Sequence, residues 1–137
     1  MGSTQVIVLD THTLLWWLNE EGSKLSTKAL SAIEKEVIAD GVVASSISAW
    51  EIALSVSKGK LELSVDVLTW LDAARRVSGF RFVPLDDVTA AKSVMMPGDF
   101  HPDPADRIIV ALARELAAPL VTADRKIQAY GHVQTIW

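Results

Sequence analysis

The chain has 137 residues, no cysteine and a formal net charge of −4, from 13 basic and 17 acidic side chains. This length predicts one domain over residues 1–137 with its own hydrophobic core, and the lack of cysteine excludes a disulfide framework, a thiolate metal site and a cysteine nucleophile. No apolar run approaches the roughly 20 residues that cross a bilayer, so we expect a cytoplasmic protein without a membrane segment, in which residues 1–3 are a cloning remnant or a flexible start.

Strand and helix patterns alternate along the first half of the chain. Short β-branched runs predict buried strands at residues 5–9 and 42–45. Ser26 and Ser48 are good helix N-caps, and glycines follow the helical segments. We therefore predict helices over residues 13–19, 27–39 and 49–57.

The second half continues the alternation. Helical periodicity covers residues 65–78, and Asp86 caps a further helix after a strand in which Pro84 favours an edge position. Pro104 suits the first position of another helix, after an irregular loop at residues 96–104. The remaining predictions are strands at 80–85, 120–122 and 133–137 and helices at 105–116 and 125–130.

This alternation predicts the α/β class. Strands separated by helices form a parallel sheet with right-handed crossovers, and the helices cover both faces. We expect a three-layer α/β/α sandwich around a mainly parallel sheet of about five strands.

Four acidic residues each follow a predicted strand or lie near the start of a helix: Asp10, Glu51, Asp106 and Asp124. In an open parallel sheet these places share one rim, at the carboxyl ends of the strands, where such folds bind ligands. Carboxylates gathered there repel one another unless a cation compensates them, and hard divalent ions such as Mg²⁺ or Mn²⁺ prefer oxygen ligands. Since the four acids account for the whole net charge, the acidic balance does not exclude a nucleic-acid substrate.

Each acid also has a structural explanation. Asp10 and Asp124 can cap the helices that follow them, and Asp106 can complement a helix dipole behind the N-cap candidate Asp103. Glu51 stands three residues after Ser48, which is the spacing of a capping box. The coincidence of four acids on one rim favours a metal site over four separate caps.

Other residues carry weaker predictions. His12 and His101 lie near the rim, but the three histidines lack the spacing of a zinc site. Trp50 and Trp70 are predicted core residues. The adjacent Trp16 and Trp17 point about 100° apart on a helix, so we expect one of them on a surface that a second copy or a partner covers.

Four motifs, in order, resemble PIN-domain proteins, and most closely the VapC-type toxins of bacterial toxin–antitoxin pairs. They are VIVLDTHTLLWW from residue 6, SSISAWEIA from residue 45, HPDPADR from residue 101 and VTADR from residue 121. The resemblance spans essentially the whole chain. It implies a Mg²⁺- or Mn²⁺-dependent endoribonuclease, usually a homodimer, that a cognate antitoxin holds inactive.

The resemblance also implies roles for individual residues. Asp10, Glu51 and Asp106 match the core metal ligands, and Asp124 matches the fourth acidic position. Nearby polar positions, which orient ligands or water, are matched by Thr11, Ser46 and Thr122. Arg107 and Arg125, each beside a site acid, are candidate contacts for phosphate or antitoxin, with a structural ion pair as the alternative.

Three other functions stay open at this point. A PIN-like nuclease that processes RNA without an antitoxin, and a non-catalytic PIN-like binding module, fit the same motifs. A phosphoryl-accepting domain also places an aspartate after its first strand, but His12 stands where a dehalogenase-like pattern has a second aspartate. Metal-activated water predicts products with a 3′-hydroxyl and a 5′-phosphate.

Overall fold

The computed structural model describes residues 5–137, and in that range the chain forms five strands and seven α-helices. The strands are β1 (Ile7–Leu9), β2 (Val42–Ser45), β3 (Phe80–Val83), β4 (Leu120–Val121) and β5 (Thr135–Ile136). The helices are α1 (Thr11–Leu18), α2 (Thr27–Ile38), α3 (Ile47–Ser57), α4 (Val67–Arg75), α5 (Asp87–Val94), α6 (Pro104–Glu115) and α7 (Arg125–Gln128). None of these helices has the length and apolar character to cross a membrane. The predicted remnant or flexible start at residues 1–3 lies outside the described range.

The five strands form one parallel sheet in the order β3-β2-β1-β4-β5. The chain first builds outward from β1 through β2 to β3, and then crosses back to place β4 on the other side of β1. Sheet order therefore reverses between β1 and β4, which is where open α/β sheets form their ligand crevice. The predicted edge position of Pro84 is confirmed, since β3 is an outer strand.

Two hydrophobic cores lie on opposite faces of the sheet. Ile7 and Leu9 pack into one core and Val8 into the other, as the two-residue period of a strand requires. The first core also takes buried residues of α1, α2 and α4, and the second takes those of α6 and α7. Helices cover both faces, so the predicted three-layer α/β/α sandwich is confirmed.

Local hydrogen bonds set helix boundaries that periodicity alone placed less well. Helix α1 begins two residues earlier than predicted because the Asp10 carboxylate accepts a hydrogen bond of 2.9 Å from the backbone N–H of Thr13. Helix α4 begins two residues later than predicted because it follows Asp66, whose carboxylate accepts the N–H of Thr69 at 3.0 Å. The predicted caps Ser26 and Asp86 are confirmed.

The predicted N-cap at Ser48 is wrong. Helix α3 begins at Ile47, whose N–H is bound at 3.1 Å by the hydroxyl of Ser45, and Ser48 is a fully buried residue inside its first turn. The helix therefore needs no cap from Ser48, and the hydroxyl of that residue is available for another contact.

The core position predicted for Trp50 is also wrong, because 57% of its surface is exposed. Helix α3 buries Ser48 and Ile52, and a residue two positions from each lies about 200° around the helix, on its outer side. Trp70 is buried as predicted, and its indole N–H donates to Asn19 Oδ1 at 2.8 Å.

Gly79 allows β3 to start against the end of α2. Its φ angle is +87°, and a Cβ atom placed there would stand 1.9 Å from the carbonyl oxygen of Val37. The Gly79 carbonyl also accepts the N–H of Val42 at 3.2 Å, at the start of β2. Both the backbone angle and the close approach exclude a side chain.

We expect Gly79→Ala to lower the free energy of unfolding by about 2 kcal/mol or more, because the strained φ and the clash with backbone act together. Gly22→Ala is the matched control, since its Cβ would meet nothing within 4 Å, and it should change stability by less than about 1 kcal/mol. Urea denaturation of both variants measures the difference, and equal stabilities would contradict it.

Candidate active site

The four predicted acids line one cleft of about 460 Å³. Asp10 follows β1, Glu51 lies in the second turn of α3, Asp106 is in the first turn of α6, and Asp124 precedes α7. The cleft opens at the carboxyl ends of β1 and β4, where the sheet order reverses. Residues far apart in sequence are thus brought together at the rim that the strand pattern predicts.

Asp10 is held by both of its carboxylate oxygens. Oδ1 accepts the N–H of Thr13, and Oδ2 accepts the hydroxyl of Thr122, while only 7% of the residue is exposed. The Thr122 hydroxyl oxygen also accepts the N–H of Asp124 at 3.0 Å. Thr122 therefore links Asp10 after β1 to Asp124 after β4 and fixes the two acids relative to each other.

Glu51 is held by a relay of hydroxyl groups. The Thr11 hydroxyl donates to Glu51 Oε1 and lies 2.9 Å from the hydroxyl of Ser48. Thr11 has one hydroxyl proton, so Ser48 must donate to Thr11 while Thr11 donates to Glu51. The capping-box alternative for Glu51 is wrong, because its carboxylate binds across to α1 and not back to the backbone of Ser48.

Burial raises the pKa of Glu51 above its usual value of 4.5, and the hydrogen bond from Thr11 opposes that rise. The charges of Asp103 and Asp10 raise the pKa further. A carboxylate in this position gains from a nearby positive charge.

Asp106 is the most perturbed acid in the cleft. Burial raises its pKa from 3.8 to about 7, with further contributions from the negative charges of Asp103, Glu51, Asp124 and Asp10. Since these negative charges all act in the same direction, the cleft disfavours the bare carboxylate and favours a bound cation. Within residues 5–137, the side chains that line the cleft include no lysine or arginine to supply that charge.

Two of the acids in the cleft, Asp103 and Asp124, also cap helices. Asp124 Oδ1 accepts the N–H groups of Lys126 and Ile127, and Asp103 Oδ1 accepts the N–H of Asp106 at 3.0 Å. These bonds fix the orientation of each carboxylate while it still lines the cleft. Capping and membership of the site are therefore compatible for the same residue.

The structure places three predicted site residues outside the acid cluster. The Ser46 hydroxyl accepts the N–H of Leu85 at 2.9 Å, so it ties α3 to the end of β3 and does not reach the cleft. Arg125 is exposed and makes no ion pair within residues 5–137.

Arg107 is used inside the fold. Its guanidinium donates to three backbone carbonyls, those of Ser93 at 2.9 Å, Phe100 at 3.0 Å and His101 at 3.3 Å. This anchoring of the loop before α6 is a structural role, made through carbonyls and not through the ion pair that the sequence suggested.

Three residues near the acids were not predicted to belong to the site. The sequence pattern indicates only helix caps for Ser48 and Asp103, and it gives His101 no metal-binding role. In the structure, His101 Nε2 lies 3.3 Å from Asp106 Oδ2. His101 lies in an irregular loop, so no helical or strand period predicts where its ring points. The motif HPDPAD places His101 five residues before Asp106. This short spacing is the one sequence feature that could have indicated a contact between them.

A larger cavity of about 610 Å³ lies elsewhere, between the end of α1 and α4. Its wall includes apolar groups of Leu18, Leu63 and Trp70. The perturbed acids belong to the smaller cleft, so we assign the chemistry there.

Comparison with known proteins agrees with the fold. The profile of the PIN domain matches residues 7–133 of the chain. Ribonuclease VapC22 from Mycobacterium tuberculosis (strain ATCC 25618 / H37Rv) is 35% identical over 133 residues, which is 96% of this chain and 98% of that protein.

Solved structures with the same fold come from several bacteria. DNA-bound VapBC from Salmonella typhimurium has a TM-score of 0.68 at 15% identity, covering 96% of each chain. VapBC2 from Rickettsia felis, bound to a promoter DNA fragment, has a TM-score of 0.66 at 16% identity, covering 96% of this chain and 97% of that one. FitAcB from Neisseria gonorrhoeae has a TM-score of 0.64 at 22% identity, covering 95% and 96%.

The raised pKa of Asp106 gives stability a predictable pH dependence. In metal-free protein the folded state keeps the Asp106 proton up to about pH 7, while the unfolded chain releases it near 3.8. This contribution to stability is therefore present below about pH 4 and lost as the pH rises through 7. The Asp106→Asn variant has no such proton to lose. Between pH 4.5 and 8 its free energy of unfolding should therefore fall less than that of the wild type, and the difference should be on the order of 1 kcal/mol. Urea denaturation with a chelator measures both slopes.

Asp66→Asn is the matched control for that experiment. The N–H and hydroxyl of Thr69 lower the pKa of Asp66, so its stabilising effect has the opposite sign and is lost as the pH falls. Removing that carboxylate should give no relative gain at pH 8. Parallel pH curves for Asp106→Asn and the wild type would contradict the assignment.

Proposed function

Because the chain belongs to the PIN domain family, we propose that it is the ribonuclease toxin of a toxin–antitoxin pair, a metal-dependent endoribonuclease that hydrolyses RNA phosphodiester bonds in the cytoplasm. The observation that carries this proposal is the cleft itself. The four predicted carboxylates and that of Asp103 meet at the reversal of sheet order, and none of the described residues that line the cleft is a lysine or arginine. Such a site suits a cation and, with it, a phosphodiester substrate.

Asp10, Glu51, Asp106 and Asp124 are the proposed ligands and catalytic residues. Their donors are oxygen atoms, which favours Mg²⁺ or Mn²⁺ over softer ions. A bound divalent ion would act as a Lewis acid toward the phosphoryl oxygens and would lower the pKa of bound water toward neutrality.

The chain's own residues keep these acids in place. Thr11 holds Glu51, Thr122 holds Asp10, and both hydroxyls are buried, so the carboxylates cannot rotate freely when an ion or substrate enters. A preorganised site of this kind loses little free energy to reorganisation during the reaction. The acids are oriented before the substrate arrives.

The proposed partners follow from the relatives. VapBC from Salmonella typhimurium and FitAcB from Neisseria gonorrhoeae support a cognate antitoxin as a protein partner of this chain. We include RNA as the substrate and a homodimer as the assembly in the same proposal. The exposed Trp50 offers apolar area for a contact with a protein partner, either the antitoxin or a second copy of this chain.

Asp106→Asn should lower metal-dependent RNA cleavage at least about a hundredfold, because it removes a charge that holds the cation while keeping the side-chain size. Purified protein, freed of antitoxin, is incubated with total RNA and Mg²⁺ or Mn²⁺, and the new ends are sequenced. Discrete cuts with a 3′-hydroxyl and a 5′-phosphate are expected, and a chelator should abolish them.

Asp72→Asn is the charge-matched control, since Asp72 is half exposed on α4 and its ion pairs in the described part of the chain are with Arg75 and Arg76. It should cut RNA like the wild type. Cleavage that persists in Asp106→Asn, or products ending in a 2′,3′-cyclic phosphate, would contradict the proposed chemistry. An absence of cuts in the wild type would favour a non-catalytic binding module.

The antitoxin proposal has its own test. Coexpression with the protein encoded by a small adjacent gene should yield one stable complex whose RNA cleavage is suppressed. Releasing the partner should restore cleavage. A nuclease that is active in the presence of every adjacent gene product would instead indicate RNA processing without an antitoxin.

A further inference from the structure

His101 has a buried ring nitrogen that the folded chain does not satisfy. Its Nε2 atom exposes less than 1 Å² and has no hydrogen-bond partner within residues 5–137. Asp106 Oδ2 is 3.3 Å away, near enough for an ion-pair contact but without hydrogen-bond geometry. Buried polar atoms are rarely left unpaired, and a bound ion is one of the recognised reasons.

The distances around this nitrogen fit a metal ion. One ring nitrogen of His101 and one carboxylate oxygen each from Asp106 and Asp124 all lie within 4.8 Å of one another. Ligands bound about 2.0 to 2.2 Å from one ion are separated by about 3 Å when adjacent and about 4.3 Å when opposite. The 3.3 Å contact between His101 and Asp106 is therefore close to the spacing of two adjacent ligands.

Neighbouring residues fix the position of the His101 imidazole. The Phe100 ring packs against the His101 ring at a tilt of 49° with 4.3 Å between centroids, and Tyr130 packs against Phe100 at 4.7 Å. Arg107 donates to the carbonyls of both Phe100 and His101. A ligand fixed by packing and by hydrogen bonds to its own backbone is preorganised for binding.

We propose that His101 Nε2 is a metal ligand and that it forms, with Asp106 and Asp124, a mixed nitrogen–oxygen site at one end of the cleft. This inference rests on the proposed function, because it uses two of the four proposed acidic ligands. Imidazole binds first-row transition ions better than Mg²⁺, whereas carboxylates alone serve both. The site accordingly selects a transition ion such as Mn²⁺ over Mg²⁺.

The direct test is pulsed electron paramagnetic resonance of the full chain loaded with Mn²⁺. A ¹⁴N coupling from a directly bound imidazole should appear in the wild type and disappear in His101→Gln. It should persist in His12→Gln, a matched control because His12 lines the same cleft from α1. Histidine-selective ¹⁵N labelling of the unmutated protein should change the coupling, which provides a readout that needs no folded variant.

Affinity supplies a second readout. His101→Gln should weaken Mn²⁺ binding at least about tenfold and Mg²⁺ binding by much less, as measured by Mn²⁺ titration and by Mg²⁺ competition. Bound Mn²⁺ without any ¹⁴N coupling, or a coupling lost in His12→Gln and kept in His101→Gln, would overturn the inference and leave the proposed function standing. A wild-type chain that binds neither ion would overturn both.

Discussion

Electrostatic repulsion among carboxylates in one cleft is the constraint on which the rest of this site depends. Asp10, Glu51, Asp103, Asp106 and Asp124 share the cleft, and the charges of the others all raise the pKa of Asp106. The fold offsets part of this repulsion with backbone: the N-termini of α1, α6 and α7 converge there, each with an aspartate as its N-cap. The positive ends of three helix dipoles reduce the repulsion, but a dipole end carries only about half a charge. The remaining deficit is what a divalent cation would remove.

Helix caps and hydroxyl groups fix the orientation of the carboxylates in the cleft. The Asp10 carboxylate accepts two hydrogen bonds, one from its own helix and one from Thr122, so it belongs both to the helix cap and to the cleft. Glu51 has no such backbone partner and depends on the relay from Ser48 through Thr11. Acids at helix starts are therefore ambiguous in sequence for a physical reason, because the same N–H groups that need a cap also orient a ligand.

Much of the fold was predictable from sequence, and the parts that were not share one cause. The strands, their parallel order and the four acids follow from local patterns and from the geometry of open sheets. Ser48 was misassigned because its use depends on Thr11, a residue 37 positions away. The contacts of Ser46 and Arg107 and the exposure of Trp50 cannot be predicted from local sequence for the same reason, since their surroundings come from other elements. His101 lies in a loop with no period, and only the folded structure brings its ring to Asp106.

The hydrogen bond between Thr122 and Asp10 joins positions 112 residues apart in the sequence. A chain that ends before β4 contains Asp10, Glu51 and Asp106 but lacks the strand that closes the crevice, together with Thr122 and Asp124. During synthesis, the complete acid cluster therefore cannot assemble until Thr122 and Asp124 have emerged from the ribosome. For a protein that cuts RNA, this order of assembly prevents a shorter nascent chain from forming the complete site.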